Sequence, residues 1–329
     1  AKITDDFQSY SIDRYPLLTE IANKQMDVQY WTATEVLVEN DRLELLYKCD
    51  ERQQNAIKTI LPMFLNYELE VGNFWRDVYP KFFKARETDR VAAVIQAIEL
   101  NTHAPFYNKI NIEFDMDNDK DYLSFLTDPA FVARAKWIQD LLNDDDLKKV
   151  FLAFGMIEAS ALFSNFVLLR SFQYKGVNLI PSVVRGTVQS ALDERLHSLA
   201  ISTSFRYYYA ELGMTINDDK EYLDMLYEQA QIMFENEQHI INAVVPDDEY
   251  GLNGITRAEY ENFVKRRIDE YFERLGANKT PFGVTYSALD DLFEIQQEAY
   301  READFFNKGL TSEYETAYVK EDLTKAWKE

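Results

Sequence analysis

The chain has 329 residues and carries 57 Asp and Glu against 35 Lys and Arg, a formal net charge of -22. That charge repels phosphate backbones, and no basic cluster offsets it, so a nucleic-acid partner is not expected. The single cysteine, Cys49, excludes an intrachain disulfide and a cysteine-built zinc site, and it fits a reducing compartment.

Apolar residues make up 47% and aromatics 14%, while only 10 Gly and 8 Pro are present, which favours long helices over strands and turns. No apolar run approaches the roughly 18 residues of a membrane span. The first residues, Ala1-Lys2-Ile3-Thr4-Asp5-Asp6, do not read as a signal peptide. The expectation is a soluble, acidic, cytoplasmic, all-α protein.

In chain order, residues 1–30 read as irregular, with a short helix near 17–23. Residues 50–83 read as a helix, with Ile57, Ile60, Leu61, Phe64, Leu65 and Leu69 at spacings of three and four and Glu68 inside that stripe. Residues 89–110 form a second run with Val91, Val94, Ile95 and Ile98; Glu99 and His103 lie within it, four apart and on one face. Pro105 should distort that helix just after the histidine. The alternating acids from Asp115 to Asp121 resemble a calcium loop. Lys120 and Leu126 stand where that loop needs Gly and Glu, so a solvated acidic turn is the better reading.

A further helix covers 131–142. The run 147–174 is apolar on most sides and reads as a central helix, with Glu158 at its middle. Residues 181–212 form a helix that Pro181 opens and Gly213 stops, and it carries Asp193-Glu194-Arg195-Leu196-His197. Helices follow at 218–245, 256–275 and 287–308. Residues 1–310 thus read as one helical domain, and 311–329 as a flexible tail with Tyr314, Tyr318 and Trp327. His239 has the polar neighbours Asn236, Glu237 and Gln238, and reads as a solvated surface residue.

Six acids and histidines interrupt apolar helix faces: Glu68, Glu99, His103, Glu158, Glu194 and His197. They fall on four helices as Glu, Glu with His, Glu, Glu with His. A lone buried Glu is more often hydrogen-bonded or ion-paired than a ligand. The joint order resembles a dinuclear carboxylate bundle, where carboxylates bridge two metals and one imidazole completes each shell. Glu194 to His197 has the three-residue spacing of that pattern. Glu99 to His103 has one residue more, which implies locally irregular winding or a pair of which only one member ligates.

Several stretches together resemble the small, radical-generating subunit of class I ribonucleotide reductase. Asp193-Glu194-Arg195-Leu196-His197 is similar to that family's Asp-Glu-x-x-His. Gln29-Tyr30-Trp31, with Glu35-Val36 and Asp41-Arg42, resembles the stretch around its relay tryptophan. His103-Ala104-Pro105-Phe106-Tyr107 resembles its His-x-x-x-Tyr. Arg267 to Gly276, after Tyr250-Gly251-Leu252-Asn253, resembles its late helix. The likeness runs from about residue 25 to 310.

The resemblance implies a ferritin-like bundle with added helices and a dinuclear metal centre. Glu68, Glu99 and His103 would hold one metal, and Glu158, Glu194 and His197 the other. Trp31, Asp193 and His103 would carry the oxidising equivalent away. Tyr107 is either a radical site or a buried tyrosine beside the metals. The tail would dock on a large catalytic subunit and supply a relay tyrosine, Tyr318 or Tyr314. Glu68, where many members have Asp, and His-Ala-Pro-Phe-Tyr favour a dimanganese centre slightly over di-iron or manganese–iron. A homodimer is also implied. The alternative is a stand-alone dimetal oxidase or oxygenase on the same scaffold, and the non-enzymatic reading is a metal-storage or purely structural helical protein.

Overall fold

Four of the described α-helices start from a side-chain cap, on Asp50, Asp128, Asp219 and Thr256. The computed structural model describes residues 1–6, 14–117 and 127–290. Among them are helices and turns, with only one isolated antiparallel bridge, between Leu252 and Ile255. Helix α1 spans Pro16–Asp27, longer than the sequence reading. Helix α2, Glu51–Asp77, starts from a capping box in which Asp50 accepts the Gln53 amide and Gln53 accepts the Asp50 amide. Helix α3, Arg86–Ile98, runs through a π-helical turn at Glu99–His103 into α4, Ala104–Glu113. Helix α5 is Pro129–Leu142 and α6 is Leu147–Met156. A second π turn, Ile157–Ala161, joins α6 to α7, Leu162–Arg170. Helix α8 is Pro181–Glu211, α9 is Lys220–Val244, and α10 is Arg257–Leu275 with its stop at the left-handed Gly276.

The bundle is ferritin-like. Helices α2, α3–α4, α6–α7 and α8 surround the core, α1 lies on α3 and α8, and α5, α9 and α10 pack outside. The apolar stretch Leu147–Gln173 corrects one sequence expectation. It is 27 residues long, with an 18-residue window of mean hydropathy 1.7, enough by length and composition to cross a membrane. That window is wholly buried inside the bundle, so the stretch serves as the central core helix.

Pro105 ends no helix. It sits in the first turn of α4, directly after the π turn. A proline ring clashes with the carbonyl four residues back, and a widened turn relieves that clash. Asp115 pairs with Arg42 at 2.7 Å. The rest of the acidic stretch from residue 118, the helix expected beyond residue 290 and the tail, including Tyr314 and Tyr318, lie outside the described residues.

Two acids of the segment after Trp31 anchor the start of α8. Asp41 accepts the Val183 amide at 2.7 Å and Glu44 the Ile180 amide at 2.7 Å, so first-turn donors that no helix carbonyl can reach are satisfied. Farther along, Gly186 lets α4 approach closely: an added Cβ would stand 2.1 Å from Phe106 Cζ. Gly186→Ala sets a helix-propensity gain of about 1 kcal/mol against an overpacking cost of about 1–3 kcal/mol. We expect a net loss, read as a lower urea midpoint at unchanged slope. A midpoint at or above that of the parent chain would refute this close packing.

Candidate metal centre

Each of the six sequence-selected residues is fully buried, and the four helices bring them to one place. Glu68 projects from the middle of α2 and Glu158 from the second π turn. Glu194 and His197 lie one turn apart on α8. Glu99 and His103 bracket the first π turn, where the Ala104 amide donates to the Glu99 carbonyl. The extra residue between them is therefore taken up by the backbone, and both side chains face the centre.

The side chains form two overlapping groups. Ligand-type atoms of Glu68, Glu99, His103 and Glu194 lie within 4.8 Å of one another, as do those of Glu99, Glu158, Glu194 and His197. His103 Nδ1 is 3.1 Å from Glu68 Oε2, 3.1 Å from Glu99 Oε2 and 3.3 Å from Glu194 Oε1. His197 Nδ1 is 2.6 Å from Glu99 Oε1, 3.2 Å from Glu194 Oε2 and 3.5 Å from Glu158 Oε2. Glu99 and Glu194 thus give one oxygen to each group, while Glu68 and Glu158 belong to one group each.

Both imidazoles point Nδ1 inward and Nε2 outward. His103 Nε2 lies 2.8 Å from Asp193 Oδ2, and the same oxygen accepts the Trp31 indole N–H at 2.7 Å. Gln25 donates to the other oxygen of Asp193 at 2.9 Å, and its carbonyl lies 3.1 Å from His197 Nε2. The outer nitrogens of both histidines therefore end on one small network. Trp75 donates its indole N–H to Glu158 Oε1 at 2.7 Å. Thr102, inside the first π turn, donates to the Trp31 carbonyl at 3.2 Å.

Sequence reasoning missed Gln25, Trp75 and Thr102. Trp75 follows Glu68 by two helical turns and so shares its face, a spacing that could have flagged it. Gln25 gave no such signal, because the sequence reading stopped α1 before it.

The electrostatics follow from burying four carboxylates together. Burial, then the charge of Glu99, pushes Glu68 well above the usual carboxylate range. Burial, then Glu158 and Glu99, does the same to Glu194. Burial also opposes charge on Glu99, but the His103 and His197 charges and the Glu68 hydrogen bond hold it well below the usual range. For His103, burial is outweighed by Glu99, Glu68 and Asp193, and for His197 by Glu194, Glu99 and Glu158, so both imidazoles are held well above their ordinary value. Protons are the cations such a cluster takes by default, and a metal competes with them.

The donor set fits a pair of divalent metals. Glu68 Oε1, Glu99 Oε1, Glu158 Oε2, both Glu194 oxygens and His197 Nδ1 are buried without a hydrogen-bond partner, although they crowd one another. Atoms left in that state are costly unless something positive binds them. Oxygen-rich groups with one imidazole each suit manganese or iron. Tyr107 lies beside this cluster, wholly buried, with its ring stacked on Phe64 at 4.4 Å. Burial, then the charge of Glu68, pushes its phenol well above the ordinary value, and the Ser190 hydroxyl partly offsets this.

Comparison with known proteins agrees with this geometry. A family model described as ribonucleotide reductase, small chain, matches residues 13–286. No curated protein sequence matches the chain. Among solved structures, the ribonucleotide reductase R2 subunit from Clostridium botulinum superposes with a TM-score of 0.76 at 14% identity, covering 89% of this chain and 94% of that one. The dimanganese(II)-NrdF of Streptococcus sanguinis gives 0.70 at 17% identity, covering 84% and 95%. The Rnr4 homodimer of Saccharomyces cerevisiae gives 0.70 at 14% identity, covering 91% of each chain. At these identities the structural likeness establishes the fold, and the family match over most of the chain establishes the rest: this chain belongs to the ribonucleotide reductase small-chain family, the radical-generating subunits of an oxidoreductase that acts with a large subunit.

Proposed function

We propose that Glu68, Glu99, His103, Glu158, Glu194 and His197 would hold a dinuclear metal centre, with Glu99 and Glu194 offering an oxygen to each of the two groups. Bound there, the metals supply the one-electron oxidising equivalent. The observation that carries the rest is a single oxygen, Asp193 Oδ2, placed between the Trp31 indole N–H at 2.7 Å and His103 Nε2 at 2.8 Å. Asp193 sets the tautomer and orientation of His103. It also gives the Trp31 N–H proton a place to go when the indole loses an electron. Trp31 and Asp193 are thus the first members of the exit relay, and Gln25 ties His197 into the same network.

The finer assignments extend this reading. Manganese is favoured over iron, since Glu68 and the His-Ala-Pro-Phe-Tyr stretch both lean that way. The dimanganese(II) neighbour is in keeping with it. Tyr107 is a radical site or a buried neighbour of the metals, and its stacked, enclosed ring fits either role. A large catalytic subunit is the partner, because one cysteine cannot supply the thiols of nucleotide reduction. The tail, residues 311–329, docks there, with Tyr318 or Tyr314 continuing the relay. The active form is a homodimer, and its place is the cytoplasm. The family match favours this over a stand-alone oxidase.

Three measurements test the reading. Metal analysis on Glu194→Ala should fall from about two metals per chain to about one or fewer, and full loading there would refute the ligand set. Trp31→Phe should keep its metals yet lose turnover with the large subunit; retained turnover removes Trp31 from the relay. Deleting residues 311–329 should leave the metal content and its electron paramagnetic resonance spectrum unchanged while abolishing partner-dependent turnover. Unchanged turnover would favour the stand-alone oxidase.

A further inference from the structure

One buried ion pair lies outside the site just described. Arg134 of α5 and Glu237 of α9 are 1% and 0% exposed, with Arg134 Nε 2.8 Å from Glu237 Oε1. Glu237 faces inward on α9, where Ile240 and Ile241 share the buried face, while its neighbour His239 is exposed. A buried pair of this kind is weak evidence for stability, since desolvation cancels most of the attraction. Its neighbours point to a different role.

Arg134 touches both helical segments that give one glutamate and no histidine to the buried cluster. Its Nη2 donates at 3.3 Å to the carbonyl of Ala161, the last residue of the π turn that holds Glu158. Its guanidinium lies over the ring of Tyr67, the residue before Glu68, with Cζ 4.4 Å from the ring centroid. Ser164, one turn beyond Ala161, sits with its hydroxyl against both the Ala161 carbonyl and the second Glu237 oxygen. Arginine suits this work, because its planar fork addresses a carboxylate and a carbonyl at once. The first π turn has a comparable brace in the Thr102 hydroxyl on the Trp31 carbonyl. A π turn is a rare, irregular winding that persists where its surroundings hold it.

We propose that the Arg134–Glu237 pair is a positioning device for the metal centre. It holds open the Ile157–Ala161 turn and so sets how far Glu158 reaches toward the second group of ligands. This rests on the reading of Glu158 as a ligand. Arg134 and Glu237 themselves touch none of the ligand atoms.

The test uses the full chain and titration with manganese(II), followed by electron paramagnetic resonance and by thermal melting. Arg134→Lys keeps a charge for Glu237 but loses the fork that reaches Ala161. Arg134→Met with Glu237→Met removes the pair without leaving a lone buried charge. In each we expect one manganese per chain to bind about 10- to 100-fold more weakly, the other to bind as in the parent, and the melting temperature to stay close to the parent's. Both metals bound at parental affinity in either variant would overturn the proposal. So would equal weakening of both metals alongside a lowered melt, which marks a general structural role. If the double variant does not fold, Arg134→Lys alone decides. Glu158→Ala separates the layers: if it keeps both metals, the ligand reading fails, and if it loses one while Arg134→Lys keeps both, only the present proposal fails.

Discussion

Four carboxylates share one buried cluster, and this constraint organises the molecule. Glu68, Glu99, Glu158 and Glu194 are all fully buried. Two like charges 4 Å apart repel by about 4 kcal/mol at an effective dielectric near 20. The two imidazoles are too few to balance four carboxylates, and among the described residues the ion-pair partners of these carboxylates are the two histidines. Such a core is tolerable only with cations at its middle. Two divalent metals would balance the four negative charges, and Glu99 and Glu194 offer one oxygen to each of the two groups.

The helices bend to this demand at two places. Both π turns fall on segments that feed the buried Glu and His cluster, at Glu99–His103 and at Ile157–Ala161. Each aims a side chain that regular winding would place elsewhere. Each is also tied from outside, by Thr102 to the Trp31 backbone and by Arg134 to the Ala161 carbonyl. Irregular backbone, its external brace and the chemistry coincide, which is the usual location of stored strain.

The segment holding Trp31 links the centre to the outer side of the bundle. Trp31 reaches Asp193 through its indole and Thr102 through its carbonyl, and Asp41 and Glu44 of the same segment anchor the start of α8. Trp31 is therefore held by the two helical segments that carry His103 and His197. Gln25 completes the connection, because its amide can donate to Asp193 while accepting from His197.

The sequence by itself determined the helical class, the helix limits near Pro181, Thr256 and Gly276, and the six polar interruptions of apolar faces. These are local signals: a period of 3.6, capping residues, and charge where charge is costly. The extra residue between Glu99 and His103 was visible, but its meaning was not. Only the fold decided that the backbone widens there, because winding depends on what the neighbouring helices leave room for. Which carboxylates are shared between the two groups also waited for tertiary structure, since one oxygen's direction depends on four helices at once. Gln25 had no local mark at all, Trp75 had only its two-turn spacing from Glu68, and Arg134 again had none. Their roles come from partners 168, 83 and 27 residues away in the chain, and periodicity carries no information about contacts of that kind.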